Sequence, residues 1–280
     1  MQHLAALEDL KLSQEFFNPD ATFGGQAIKD FFSYFVPNAQ KTISGFSKKF
    51  TDTKMSFTNP SPDVQKFLKK VQAHNYATTR HLRMYVPSGF KGNFLDYVNL
   101  LCQSAEHVQK IHAELLLPYM QHLADISSSK NSRLQTKDPQ AFTVKRFKDA
   151  RQAIEKQMTA FYNASAVHQG NESTVGSHVA RNAEWDDIYV GLNKLKQLCS
   201  SIAPSAIAQD VKKIERYLDI LLSAAKEDEL NELTTESAQS IANTTYEVAE
   251  ELEFLAVTQY RAMTVDTSFK NTVDKLLTLL

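Results

Sequence analysis

Histidine beside glutamate is the pairing in this chain that most invites chemistry. His107, His112 and His122 fall on one predicted helix with Glu106 and Glu114, and His74 and His81 precede them. Such groups hold transition metals or move protons. Spacing argues against both. A di-iron bundle site needs Glu-x-x-His on each of two helices, so that both side chains project inward together, and that tetrapeptide does not occur. His-Glu-x-x-His is absent as well. His112-Ala113-Glu114 matches the first half of a zinc deaminase signature, but the required Pro-Cys-x-x-Cys is missing. The histidines are therefore expected to be structural or solvated, with no metal and no cofactor.

Neither phosphate-binding glycine pattern is present; Gly24-Gly25 stands alone ahead of a helix. No Gly-x-Ser-x-Gly elbow is present either, so the expectation is that the protein is not an enzyme. Two other features remain. Ile28, Phe31, Phe32, Phe35 and Val36 form an aromatic face at helical spacing, with Pro37 expected to stop it. Such a face enters a bilayer interface or a partner's groove, or else it is core, and a sustained apolar face is normally buried. The second feature is basic: Lys41, Lys48, Lys49, Lys54, Lys66, Lys69, Lys70, Arg80, Arg83 and Lys91, interleaved with Phe46, Phe50, Phe57, Tyr76 and Tyr85. Lysines in such numbers neutralise phosphates, and exposed aromatics stack on bases. The alternative is a solvated lysine face with the aromatics turned to the core.

Helices must position these groups. In residues 185–202 the apolar positions Trp185, Ile188, Leu192, Leu195, Cys199 and Ile202 step by three and four, one stripe of an α-helix. Pro204 breaks it, and Ile207, Val211, Ile214, Leu218, Leu221 and Ala225 form the next stripe. Ile241, Val248, Leu252 and Leu255, then Phe269, Val273, Leu276 and Leu280, continue the pattern, and with no Gly or Pro after Pro204 the remainder is expected to be almost wholly helical. Upstream start signals are Ser61-Pro62, Asn93 and Asp138-Pro139. The segment 94–126 places Val98, Leu101, Ala105, Val108, Leu115 and Ile126 on one face and is expected to kink at Pro118. Residues 85–92 read as a turn and 127–137 as a polar loop, and no useful period-two alternation is present. The expected fold is an all-α multi-helix bundle of one or two helical lobes.

The 280 residues carry a net charge of -1 and are 42% apolar, which suits a globular chain and excludes collagen-like, disordered or membrane-spanning classes. That neutrality hides a gradient. Residues 1–40 hold two basic and five acidic groups, residues 41–91 ten and two, and residues 181–280 ten and seventeen. The expected organisation is an acidic leader with the aromatic segment (1–40), a basic helical lobe (41–166), a linker (167–180) and an acidic helical bundle (181–280). Cys102 and Cys199 look like small core residues, and residues 1–10 lack the pattern of a secretory signal.

The leader Leu4-Ala-Ala-Leu-Glu-Asp-Leu-Lys-Leu-Ser-Gln-Glu15, running into Phe16-Phe-Asn-Pro, resembles that of internal head or inner-body proteins of large tailed bacteriophages. The resemblance implies a mostly helical, non-enzymatic virion protein packaged with the genome. It also implies leader removal by a prohead protease after small-residue-x-Glu triplets, here Ala6-Leu7-Glu8 and Ser13-Gln14-Glu15. The expected function is thus structural, inside the virion after assembly in the host cytoplasm. The expected partners are other virion proteins, packaged DNA touched through the basic segment, and further copies of the chain. The alternative is a cytoplasmic helical adaptor that binds a partner through its C-terminal stripes.

Overall fold

A computed structural model describes residues 9, 25–52, 62–74, 83–87, 90, 92–128, 144–158, 174–178, 182–226 and 235–277. In chain order these form α1 (Gly25–Asp52), α2 (Pro62–His74), β1 (Arg83–Pro87), α3 (Phe94–Ile111), a π-helical turn (His112–Leu116), α4 (Leu117–Ser128), α5 (Val144–Met158), β2 (Thr174–His178), α6 (Asn182–Ser200), α7 (Pro204–Lys226) and α8 (Thr235–Leu277). The protein is an all-α multi-helix bundle with one short β-ribbon. Contacts divide it into two units, residues 1–53, 108–149 and 204–256, and residues 54–107, 150–203 and 257–280. The units interleave along the chain, so neither coincides with the expected segments 41–166 or 181–280.

In the first unit, α1 runs through Pro37 instead of stopping there. Proline removes a donor and crowds the preceding turn, costing about 3 kcal/mol inside a helix. Pro37 stands exposed, and beside it Asn38 Nδ2 donates to the Tyr34 carbonyl at 3.2 Å. Phe32, Phe35, Val36, Ala39, Ile43, Phe46 and Phe50 are buried on both sides of the proline. Burying each phenylalanine contributes about 2 kcal/mol, so the stripe outweighs the break. The aromatic face is core.

What it packs against is α7, whose stripe Ile207, Val211, Ile214, Leu218 and Leu221 is buried. Gln40 Nε2 donates to Asp219 Oδ1 at 2.5 Å, and Ser47 Oγ donates to the Ala208 carbonyl at 3.5 Å. Rising numbers on α1 thus meet falling numbers on α7, and the two helices are antiparallel. On its other side α7 meets α4. The Tyr119 hydroxyl of α4 hydrogen-bonds Thr245 of α8, and Thr245 donates in turn to the Ile241 carbonyl at 2.6 Å. Burial raises the Tyr119 phenol well above its ordinary pKa, so it stays protonated as donor.

The irregularity expected at Pro118 sits one turn earlier. The Leu117 N–H donates to the His112 carbonyl, five residues back, which is the π register. The next donor in that register would be residue 118, and proline has none.

The second unit opens α3 with a reciprocal cap. The Asn93 N–H donates to Asp96 Oδ2 and the Asp96 N–H to Asn93 Oδ1, both at 2.8 Å, so two orphan donors of the first turn are satisfied. Gly92 precedes it because a Cβ there would stand 2.8 Å from the Phe90 ring. On α6, Gly191 lets α3 approach closely, since a Cβ would meet Val98 Cγ1 at 2.9 Å. The Cys102 thiol, two turns along α3, donates to the Gly191 carbonyl at 3.5 Å. Burial pushes the Cys102 thiol up to about 11 and the Cys199 thiol up to about 12, which keeps both protonated and inert.

Two expectations fail in this unit. Residues 83–87 and 174–178 pair as an antiparallel ribbon, with Arg83 opposite His178 and Pro87 opposite Thr174. Tyr85–Pro87 are therefore extended instead of turning, and part of the expected linker 167–180 is a strand. Small polar residues suit an edge strand as well as a linker, and the pairing partner lies far away in sequence, so no local signal announces it. Of the other start signals, Pro62 opens α2, while Ser61, Asp138 and Pro139 lie outside the described residues; the break expected at Pro204 separates α6 from α7.

Candidate functional site

Lysines that repeat every seven residues on a helix stay on one face. Lys41 and Lys48 do so on α1, both exposed, with Phe46 and Phe50 buried on the other side. Lys41 is 66% exposed and lies 3.6 Å from Asp9 Oδ2. On α2, Lys66 and Lys69 are exposed, Lys70 is half-buried, and Phe67 is buried between them in sequence. Lys49 lies in α1 and Arg83 in β1. Lys54, Arg80, Phe57, Tyr76 and the processing residues Glu8 and Glu15 lie outside the described residues.

The basic segment is thereby shared between units: Lys41 and Lys48 belong to the first, Lys66, Lys69, Lys70 and Arg83 to the second. Phe46, Phe50 and Phe67 are core and take no part in stacking on a base. For these aromatics the solvated-face alternative is the one the fold adopts.

The histidine and glutamate segment resolves into polar contacts that tie helices together. In the first unit, His112 of the π turn places Nε2 3.2 Å from Asp210 Oδ2 on α7, and Lys213 Nζ holds the other oxygen of Asp210 at 3.0 Å. Two positions on, Glu114 accepts from Arg146 of α5, while Lys148 reaches Glu247 of α8 at 2.9 Å. The π turn therefore aims one residue at each of two neighbouring helices. In the second unit, Glu106 pairs with Lys194 at 2.8 Å and His107 is buried. Among the described residues no three His, Cys, Asp or Glu side chains are grouped to hold a metal ion. This arrangement fastens helices; it offers no nucleophile beside a base.

One buried charge cluster escaped the sequence reading. Asp266 of α8, 5% exposed, accepts from Lys270 Nζ through Oδ2 at 2.8 Å and forms an ion pair with Lys196 Nζ of α6, which stands 2.8 Å from Oδ1. Only the Asp266–Lys270 spacing of four residues was visible beforehand.

His122, half-buried on α4, carries a pH prediction. Burial lowers its pKa below the ordinary 6.5, and the opposing pull of the Asp125 carboxylate is smaller. The unfolded chain then binds a proton that the folded one refuses, so stability falls as pH drops below 6.5 towards the folded value. Glu215, whose pKa burial raises above 4.5, acts with the opposite sign at lower pH. Urea midpoints of the native protein should therefore drop more steeply below 6.5 than those of His122→Gln. Equal slopes would show that His122 is solvated in the fold.

No family model matches the chain, and neither a curated protein nor a solved structure matches it.

Proposed function

We propose that the chain is a non-enzymatic virion structural protein of a large tailed bacteriophage. It is an internal head or head-associated component that acts through helical packing and contact with DNA or another polyanion. The observation behind this is the sorting of the basic helices, with Lys41, Lys48, Lys66 and Lys69 in water and Phe46, Phe50 and Phe67 in the core. Ammonium groups displayed on a packed scaffold neutralise phosphates without reordering the chain. Its partners are packaged DNA, other virion proteins and further copies, inside a particle assembled in the host cytoplasm. The proposed leader cleavage falls after Glu8 or Glu15.

An adaptor needs an apolar C-terminal stripe left open for a partner. Ile188, Leu192 and Leu195 of α6, Val211 and Leu218 of α7, and Val265, Phe269 and Val273 of α8 are all buried. That reading loses its main support. Among the described residues no helix is long and apolar enough to cross a membrane.

Replacing Lys48, Lys49, Lys69 and Lys70 together by Glu is expected to abolish duplex binding while leaving the far-ultraviolet circular dichroism unchanged. Duplex affinity equal to that of the native chain would refute the basic surface. The virion assignment is tested by mass spectrometry of purified particles, where a chain starting at Asp9 or Phe16 is expected and absence from the particles would overturn it.

A further inference from the structure

We infer that one face of the first unit, built by α1 and α7 together, lies along the phosphate backbone of duplex DNA through Lys41, Lys48, Lys212 and Arg216. The inference rests on the polyanion reading above and gives it a surface, half of which comes from a helix outside the basic segment. On α1, Gln40 and Ser47 are the residues that bond to α7. Lys41 and Lys48 each follow one of them, about 100° further round the helix and away from the buried stripe, and both are exposed. On α7, Arg216 follows Glu215, whose carbonyl accepts from Gln40, and Lys212 stands one turn before it; both are exposed. The helices are antiparallel, with Gln40 beside Glu215 and Ser47 beside Ala208. The four cations therefore alternate along the contact in the order Arg216, Lys41, Lys212, Lys48, over about 12 Å.

Among the described residues Lys48, Lys212 and Arg216 stand in no ion pair, and Lys41 lies 3.6 Å from Asp9. The carboxylates on this edge are turned to the helix contact: Asp219 accepts from Gln40, and Glu215 is half-buried. What the row lacks selects its occupant. The large apolar side chains exposed on α1 and α7, among the described residues, are Tyr34 and Ile220, both beyond the row at its Arg216 end. A protein partner is anchored by aromatic side chains in well-packed pockets, and a helix in a bilayer interface inserts Trp, Phe or Leu. The row offers neither. Phe46 and Phe50, interleaved with the lysines in sequence, are buried, so no base of a single strand stacks between the cations. Fixed cations without aromatic neighbours match a duplex, which stacks its own bases inside and presents phosphates outside.

The test uses the full chain and a short fluorescent duplex, with anisotropy titrations over a range of salt. The double variant Lys212→Gln, Arg216→Gln is expected to lower the slope of log affinity against log salt by about 1.8, the value of two phosphate contacts. The exchange Lys212→Arg, Arg216→Lys is expected to keep it. A native slope in the glutamine variant, alongside lost binding in the quadruple lysine variant, would overturn this face and leave the proposed function standing. Equal losses in the two double variants would also overturn it, because charge would then not be the contact. Tighter binding to a single strand of the same length would replace the duplex as occupant. Binding to phosphatidylserine vesicles that the glutamine variant loses, while its duplex slope stays native, would assign the face to lipid. Either result would overturn the inference. Absence of duplex binding by the native chain would overturn both the face and the proposed function.

Discussion

Asp266→Ala is expected to destabilise the second unit by about 3–5 kcal/mol, the usual consequence of removing one partner from a buried ion pair. The size follows from burial. Lys196 and Lys270 side chains are 15% and 20% exposed, and Asp266 holds each at 2.8 Å through a different oxygen. Deleting the carboxylate removes the anion that both ammonium groups face in a poorly solvated site. Urea unfolding followed by the fluorescence of Trp185, the single tryptophan, reports on this unit. The triple replacement Lys196→Met, Asp266→Leu, Lys270→Met separates charge from packing. If electrostatics governs the site, the triple variant recovers most of the stability that Asp266→Ala loses. Loss in Asp266→Ala below about 1 kcal/mol would place the cluster in water, as for a surface pair.

What the sequence could announce depended on the distance between the interacting residues. Ile188, Leu192, Leu195 and Cys199 repeat with the period of one helix, and all four are buried. The same holds for the stripe of α7 and for Val98, Leu101, Ala105 and Val108 of α3. In α8 the period understates the outcome, since every residue from Glu251 to Gln259 is buried, polar side chains included. A stripe describes a helix covered on one side, and this stretch is covered all round. Pro37 misled because the α7 face that covers the stripe on both sides of it is a tertiary fact. The ribbon escaped for the same reason, and so did the pairs His112–Asp210 and Lys196–Asp266. For the candidate site, exposure of Lys48, Lys66 and Lys69 followed from residue type, while their division between two units did not.

Trp185→Ala is expected to cost about 3–5 kcal/mol, the range for deleting a large buried aromatic whose site collapses only in part. Trp185 is 3% exposed and joins three helices. Its ring meets Phe67 of α2 edge-to-face, with centroids 5.1 Å apart and planes at 78°, and Phe269 of α8 at 6.2 Å and 48°. An edge-to-face pair adds about 0.5–1.5 kcal/mol beyond its buried area, because the positive edge of one ring meets the negative face of the other. Trp185→Phe keeps an aromatic ring at the site and should therefore lose clearly less than Trp185→Ala. Thermal melts of the three proteins measure the order native, Phe, Ala. The variants also separate core from surface. A melt of Trp185→Ala that superimposes on the native one would put the ring outside the α2–α6–α8 core. With Trp185 in place, α2 is held against the bundle through Phe67, and α2 is the helix that carries Lys66 and Lys69. Under the proposed function, Trp185→Ala should therefore weaken duplex binding together with stability, whereas the quadruple lysine variant should weaken binding alone.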